Sequence, residues 1–352
     1  MVLTKLRSLK KKKGRSIKKK EKENVKDNSK ERKNRRSRKV RKPIVYKPIV
    51  YTTSELIPLP VLKNKNNGKP HNYEDVVESH IDKDFAIIAL FDGHTGQFSS
   101  KKATILIKYL VYKIKKGIKV NSELLIKSFE IIDSKYLNKT NSGCTGTIIY
   151  IDKKIIYTAH VGDSPAYGIS NKGCSITQLT KDHDYFNLSE RNRVISAAKK
   201  LGISEPWEDQ RVHGTIQSSR GLGDPEIKEM GKGMFIATPE VSSFNPKKFK
   251  YLMITSDGIT DPFTEKYESK NTGQDDFTKL NDKQQSKNLL KNLVISICEK
   301  DSKSLKTPVR IIKDIVGDAI KMVGSNYQDD ISIILIDVKQ LFISFKFVPN
   351  LN

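Results

Sequence analysis

The stretch FAIIALFDGHTG, residues 85–96, constrains the fold more than any other part of the chain. Ala86 to Phe91 is an unbroken apolar run. It has the length of a strand and no polar side to show to water, so it reads as a strand buried on both faces. The run stops at Asp92-Gly93, a turn signal, and His94 follows at once. A rigid strand therefore delivers a carboxylate and an imidazole to its end. An Asp-Gly pair after a strand is by itself only a turn, and it gains meaning here because the pattern recurs.

Lys154 to Val161 (KIIYTAHV) ends in Gly162-Asp163-Ser164, Tyr251 to Thr255 (YLMIT) ends in Ser256-Asp257-Gly258, and Asp329-Asp330 stands directly before Ile331 to Val338. Four strand-like runs thus each carry an acid at one end. If those ends gather at one edge, the carboxylates cannot stay charged and close without a cation. Hard oxygen donors select Mg²⁺ or Mn²⁺ over zinc.

The charge is uneven. Residues 1–42 hold 21 Lys/Arg against 4 Asp/Glu, and the rest of the 352-residue chain holds 44 against 36. The basic tail is low in apolar residues and reads either as a solvated, disordered segment or as one that contacts nucleic acid or another acidic partner. Three cysteines, Cys144, Cys174 and Cys298, are too few and too odd in number for a disulfide framework, which fits an intracellular, reducing compartment, cytoplasmic or nuclear. No His/Cys spacing suggests zinc, no apolar run is long enough to span a bilayer, and a monomer is expected.

Along the chain, residues 43–67 read as an extended linker containing the repeat PIVYKPIVY, and the domain proper as residues 68–340, with 341–352 a C-terminal tail. Val76-Val77 and the 85–91 run are expected to pair as a hairpin. Gln97–Lys116 and Ser122–Leu137 read as two helices with apolar faces carrying Phe98, Leu106, Leu110 and Ile114, and Leu125, Phe129, Ile132 and Tyr136. Strands resume at 145–150 and 155–161, a helix is expected over 187–201, and 286–300 with 307–323 form a second helical pair before the last strand. Strands, helix pair, strands, helix pair, strand is the order of an α+β domain with helices packed outside paired sheets.

The motifs, in order, are YED (73–75), FDGHTG (91–96), SGCTG (142–146), VGDSPA (161–166), LTKDH (179–183), SRGLGD (219–224), ATPEV (237–241), TSDGITD (255–261) and DD (329–330). With them the chain resembles the metal-dependent protein phosphatases of the 2C type from about Gly68 to Val338. The resemblance implies a four-layer α-β-β-α sandwich of two mostly antiparallel sheets, each flanked by a pair of antiparallel helices. It implies two Mg²⁺ or Mn²⁺ ions bridged by Asp92, with the Gly93 carbonyl, Asp257 and Asp329 as ligands and Glu74 and Asp75 reaching the ions directly or through water. Asp182 and Asp261 would hold a third, weaker ion beside Asp257. His94 would be the general acid for the leaving oxygen, and phosphorylated proteins the substrates, hydrolysed at phosphoserine or phosphothreonine through a metal-activated bridging water.

The chemistry asks for such a set. A phosphate monoester repels a nucleophile, and paired cations offset that repulsion. Imidazole can supply a proton near neutral pH. Cys144 reads as a buried filler rather than a nucleophile, and Asp163 and Asp224 read as turn residues. Two departures stand out. The family's phosphate-binding Arg is replaced by Pro70 with Lys69 beside it, and Lys attracts phosphate as a point charge without the bidentate fork. The family's closing Asp-Asn is Asp329-Asp330, which adds a negative charge. Beside the phosphatase stands a second reading, a catalytically weak scaffold or binding protein.

Overall fold

The computed structural model describes residues 50–53, 73–139, 141–172, 175–261, 295, 312, 314–317 and 329–345. The basic tail, Lys69 and Pro70 lie outside the described residues, as does most of the second helical pair. The chain runs through β1 (Val50–Thr53), β2 (Val76–Ile81), β3 (Phe85–Phe91) and the short β4 (Gly93–His94) into α1 (Phe98–Ala103), α2 (Ile105–Lys115) and α3 (Ser122–Ile132). A π-helical turn over Asp133–Leu137 extends α3. Next come β5 (Gly143–Cys144), β6 (Gly146–Asp152), β7 (Ile156–Val161), β8 (Ala166–Ser170), β9 (Ile176–Gln178), α4 (Leu188–Lys200) and the small hairpin of β10 (Trp207–Glu208) and β11 (Arg211–Val212). The remainder is β12 (Leu222–Gly223), α5 (Pro225–Met230), β13 (Glu240–Phe244), β14 (Phe249–Thr255), α6 (Asp257–Thr260), β15 (Ile333–Asp337) and α7 (Val338–Ser344).

The strands form two antiparallel five-stranded sheets, ordered β13-β7-β6-β3-β2 and β1-β15-β14-β8-β9, with a three-stranded ribbon β12-β5-β4 between site loops. This is an α+β fold. Every residue of β3 is buried, and the period-two alternation of a strand explains why. Phe85, Ile87, Ala89 and Phe91 point to Leu106, Leu110, Leu125 and Phe129 of the helices. Ala86, Ile88 and Leu90 point to Leu252, Ile254, Ile334 and Ile336 of the second sheet. Helices, first sheet and second sheet therefore stack as three layers, with β3 apolar on both sides. Met253, Ile333 and Leu335 are also fully buried on the other face of the second sheet. The fourth layer expected there falls on residues 286–323, of which only a few are described; among these Ile312, Ile315 and Val316 are buried.

Several local details depart from the sequence reading. The helix expected over 97–116 is broken at Thr104. Its Oγ1 donates to the Lys101 carbonyl at 2.8 Å, and the chain tightens to an i→i+3 bond from Ile107 N to Thr104 O at 3.1 Å. Phe98 and Tyr136, placed on the apolar helix faces by spacing, are exposed. Residues 50–53, read as linker, pair with β15 as an edge strand, and α7 runs beyond residue 340 and buries Leu341 and Phe345 in the core between the sheets. Among the described residues no helix is long and apolar enough to cross a membrane.

Candidate active site

Strand register assembles the acids. Val76 pairs with Phe91, so Asp75 and Asp92, each one residue beyond, become neighbours. In the second sheet Thr255 pairs with Ile333, which brings the Asp257 turn beside the chain that carries Asp329 and Asp330. Because the sheets are stacked on their shared core, the two pairs meet at one edge. Burial pushes Asp92 well above the usual carboxylate range, and the charges of Asp75 and Asp329 add to it. Burial does the same to Asp257, helped by Asp92, Asp329, Asp261 and Asp163. Asp75 is raised to about 8, again by burial first.

Hydroxyl groups hold Asp92 in place. Its backbone N–H donates to Thr145 Oγ1 at 3.3 Å, and Ser164 Oγ donates to its Oδ2 at 3.3 Å while bonding Thr145 Oγ1 at 2.7 Å. Gly93 lies where a Cβ would meet the Glu74 carbonyl oxygen at 2.6 Å and Ser100 Oγ at 2.8 Å, so only glycine lets the turn pass this close. The Glu74 side chain reaches the same loop, its Oε1 accepting from Gly96 N at 2.9 Å. Asp330, the extra acid, is a clamp: its Oδ2 accepts from the backbone N–H groups of Glu74 at 2.6 Å and Asp75 at 3.2 Å. These bonds tie the start of β2 to the segment before β15, and the Asp330 charge also pushes the Asp75 carboxyl up.

Of the residues singled out by sequence, the structure brings Asp75, Asp92, Asp257, Asp261 and Asp329 together, with Gly93, His94 and Glu74 on the adjoining turn. Asp182 is directed elsewhere. Its Oδ1 accepts from Gln178 Nε2 at 2.8 Å, and its charge acts on Tyr167 and His160. The Asp163 charge acts on Asp257. The reason is register: Gly146 pairs with Val161, which puts the Gly162–Ser164 turn against Thr145 and Asp92. Asp224, read as a turn residue, lies with Oδ2 2.8 Å from His94 Nε2. Cys144 is fully buried with its thiol pushed up by burial, consistent with a filler. Lys69 lies outside the described residues.

Among the described residues, no group of three or more His, Cys, Asp or Glu side chains stands close enough together to hold a metal ion as placed. The acids nonetheless fit a divalent cation. Both Asp75 carboxylate oxygens are buried without a hydrogen-bond partner; Ser332 and Asp92 stand close to them, outside good hydrogen-bonding geometry. Buried carboxylates raised this far are a donor set short of positive charge, and all their atoms are hard oxygens, the ligands of Mg²⁺ and Mn²⁺.

The family model for Protein phosphatase 2C matches residues 63–267, more than half of the chain. Similar curated proteins include probable protein phosphatase 2C 52 of Oryza sativa subsp. japonica, 29% identical over 200 residues, 54% of this chain and 38% of that protein. Another is the integrin-linked kinase-associated serine/threonine phosphatase 2C of Homo sapiens, 28% identical over 195 residues, 50% of this chain and 47% of that protein. The chain thus spans about half or less of the length of these relatives. Among solved structures, a phosphatase from a pathogenic strain of Toxoplasma gondii matches with a TM-score of 0.57 at 20% identity, covering 76% of this chain and 89% of that one. A C. elegans sex determining protein matches with a TM-score of 0.55 at 20% identity, covering 80% and 65%. At such identity the structural likeness speaks for the fold, while the sequence match over residues 63–267 carries the assignment: this chain belongs to the protein phosphatase 2C family.

Proposed function

We propose that the chain is a metal-dependent protein serine/threonine phosphatase, hydrolysing phosphoserine and phosphothreonine in protein substrates. One observation carries this reading: Asp75, Asp92, Asp257 and Asp329 are gathered at the sheet edge, burial holding the first three above the usual carboxylate range, with His94 two residues from Asp92. Asp92, Asp257, Asp329 and the Gly93 carbonyl would hold two Mg²⁺ or Mn²⁺ ions, with Asp75 and Glu74 supporting them, and Asp163 with Asp261 would hold a third, weaker ion beside Asp257. Bound there, the ions would supply the positive charge that offsets the phosphoryl oxygens and acidifies the attacking water. The chain's own residues do the rest. Thr145 and Ser164 fix the Asp92 carboxylate, Asp330 fixes the strand start that carries Glu74 and Asp75, and His94 delivers a proton to the leaving serine or threonine oxygen. No cysteine nucleophile takes part.

The test is release of phosphate from p-nitrophenyl phosphate and from a phosphothreonine peptide, with Mn²⁺ and with a chelator. Turnover that needs the metal supports the reading. Folded protein with no metal-dependent turnover on either substrate overturns it.

A further inference from the structure

His94 is held by a device that the metal ligands do not explain. It lies on β4, and Gly143 of β5 pairs with it across the ribbon; the other side of Gly143 pairs with Gly223 of β12, one residue before Asp224. The imidazole and the Asp224 carboxylate therefore approach each other over a glycine. A Cβ on Gly143 would lie 1.8 Å from Asp224 Oδ2 and 2.5 Å from His94 Nε2, so any side chain there would drive the two apart. Asp224 has φ +49°, the left-handed region that few non-glycine residues enter. It opens α5 without capping it by a side-chain bond; its carboxylate is turned to His94 instead.

The loop carrying Asp224 is tied down on both sides. Asp224 N donates to the Ser142 carbonyl at 3.2 Å, and the same carbonyl accepts from Ser99 Oγ at 2.7 Å. Gly223 N and Lys228 Nζ both donate to Asp133 Oδ1 at 2.7 Å. Asp133 opens the π-helical turn, a kind of irregularity that recurs at functional sites. The pair is also asymmetric in exposure: the Asp224 side chain is 6% exposed and that of His94 37%. One partner is locked, and the other keeps a face open to solvent.

We propose that Asp224 is a positioning residue that accepts from Nε2–H of His94, fixes the ring's orientation and tautomer, and leaves Nδ1 as the nitrogen that meets the leaving-group oxygen. A carboxylate only accepts, so the proton it binds must sit on Nε2. When the ring carries a second proton, that proton is on Nδ1. In the hydrolytic step the water oxygen bonds to phosphorus, the ester P–O bond breaks, the freed serine or threonine oxygen takes the Nδ1 proton, and the water's surplus proton passes to solvent. This inference rests on the reading of His94 as general acid.

Two measurements on the full chain separate the inference from that reading. The first is the ¹⁵N chemical shift of His94 in ¹⁵N-histidine-labelled, metal-free protein, assigned with His94→Ala. It is expected to show the Nε2–H tautomer, replaced in Asp224→Asn and in Gly143→Ala by a mixture. An Nδ1–H tautomer in the parent protein, or shifts unmoved by Asp224→Asn, overturns the proposal whatever the kinetics show. The second is turnover with Mn²⁺. Asp224→Asn is expected to lose about tenfold or more in kcat on a phosphoserine peptide with KM little changed, part of the about 10²–10⁴ that a general acid supplies. The loss should be smaller on p-nitrophenyl phosphate, whose leaving group hardly needs a proton, and should add nothing in a His94→Ala background. Equal losses on both substrates, or losses that add, contradict positioning through His94. If His94→Ala itself shows no dependence on the leaving group, the general-acid reading fails while the tautomer measurement still decides the pairing. Asp224→Asn preserves side-chain volume, and its melting curve separates a kinetic loss from unfolding.

Discussion

Glu190 on α4 offers a perturbation whose size can be worked out. Its side chain is 3% exposed and accepts from Arg193 Nε at 2.8 Å, Ser219 Oγ at 2.8 Å and Arg220 Nε at 3.1 Å, with Arg220 Nη2 on its other oxygen. Arg220 also donates to the Thr238 carbonyl at 2.9 Å, and Arg193 to the carbonyls of Gly233, Ser219 and Met234. The network thereby fixes the SRGLGD segment that ends at Asp224. Burial alone would raise the Glu190 pKa, but the Arg220 hydrogen bond and the charges of Arg193 and Arg220 outweigh it and bring it to about 2 from 4.5. That depression corresponds to about 3 kcal/mol of stability at neutral pH. Burial also pulls Arg193 down, which returns part of the gain, so about 3 kcal/mol is the upper figure. Because the folded pKa is depressed, the contribution is complete above pH 4.5 and is lost as pH falls from there toward 2. Glu190→Gln should lower unfolding free energy by about 2–3 kcal/mol at pH 7, and the gap to the parent should narrow by about 1 kcal/mol at pH 3.5. Urea unfolding at both pH values measures this. A gap below about 0.5 kcal/mol at pH 7, within the range of an exposed pair, or a gap equal at both pH values would refute the reasoning.

Three further outcomes are expected. Asp163→Ala should raise the Mn²⁺ concentration needed for half-maximal turnover, while Asp182→Asn should shift that concentration little and act on melting temperature instead; the reverse pattern would return Asp182 to the metal-binding group. Ile88→Ala removes a fully buried side chain between the two sheets and should cost about 2–5 kcal/mol in urea unfolding, with less than 1 kcal/mol showing that this core closes over the gap. Lys69→Ala should raise KM for a phosphopeptide more than it lowers kcat, and Pro70→Arg should lower KM, since a lost phosphate contact weakens ground and transition states together; unchanged KM in both would remove residue 69 from phosphate binding.

The layers around β3 were legible because a seven-residue apolar run leaves few places for a strand. The acids at strand ends were legible as a group because each follows or precedes such a run. What stayed hidden depended on pairing across the chain. Asp163 read as a turn residue, and the register of β6 with β7 is what sets the Gly162–Ser164 turn against Thr145 and Asp92. Asp224 and His94 are 130 residues apart, with no local spacing to join them; the one available signal was Gly143 within SGCTG, which the ribbon requires to be small. The burial of Glu190 depends on Arg220, thirty residues away, closing over it together with Arg193, and helical spacing does not report that. The break at Thr104 came from a side-chain hydroxyl competing for a helix carbonyl, which apolar periodicity does not report.

Asp92 bears most directly on whether the buried carboxylates hold catalytic cations. The direct measurement is phosphate release from a phosphoserine peptide at saturating Mn²⁺, for the parent chain and for Asp92→Asn of equal melting temperature. Metal-dependent turnover in the parent, abolished by chelator and reduced about 10²-fold or more in Asp92→Asn, is the predicted result. Turnover indifferent to chelator, or retained in Asp92→Asn, would contradict the account.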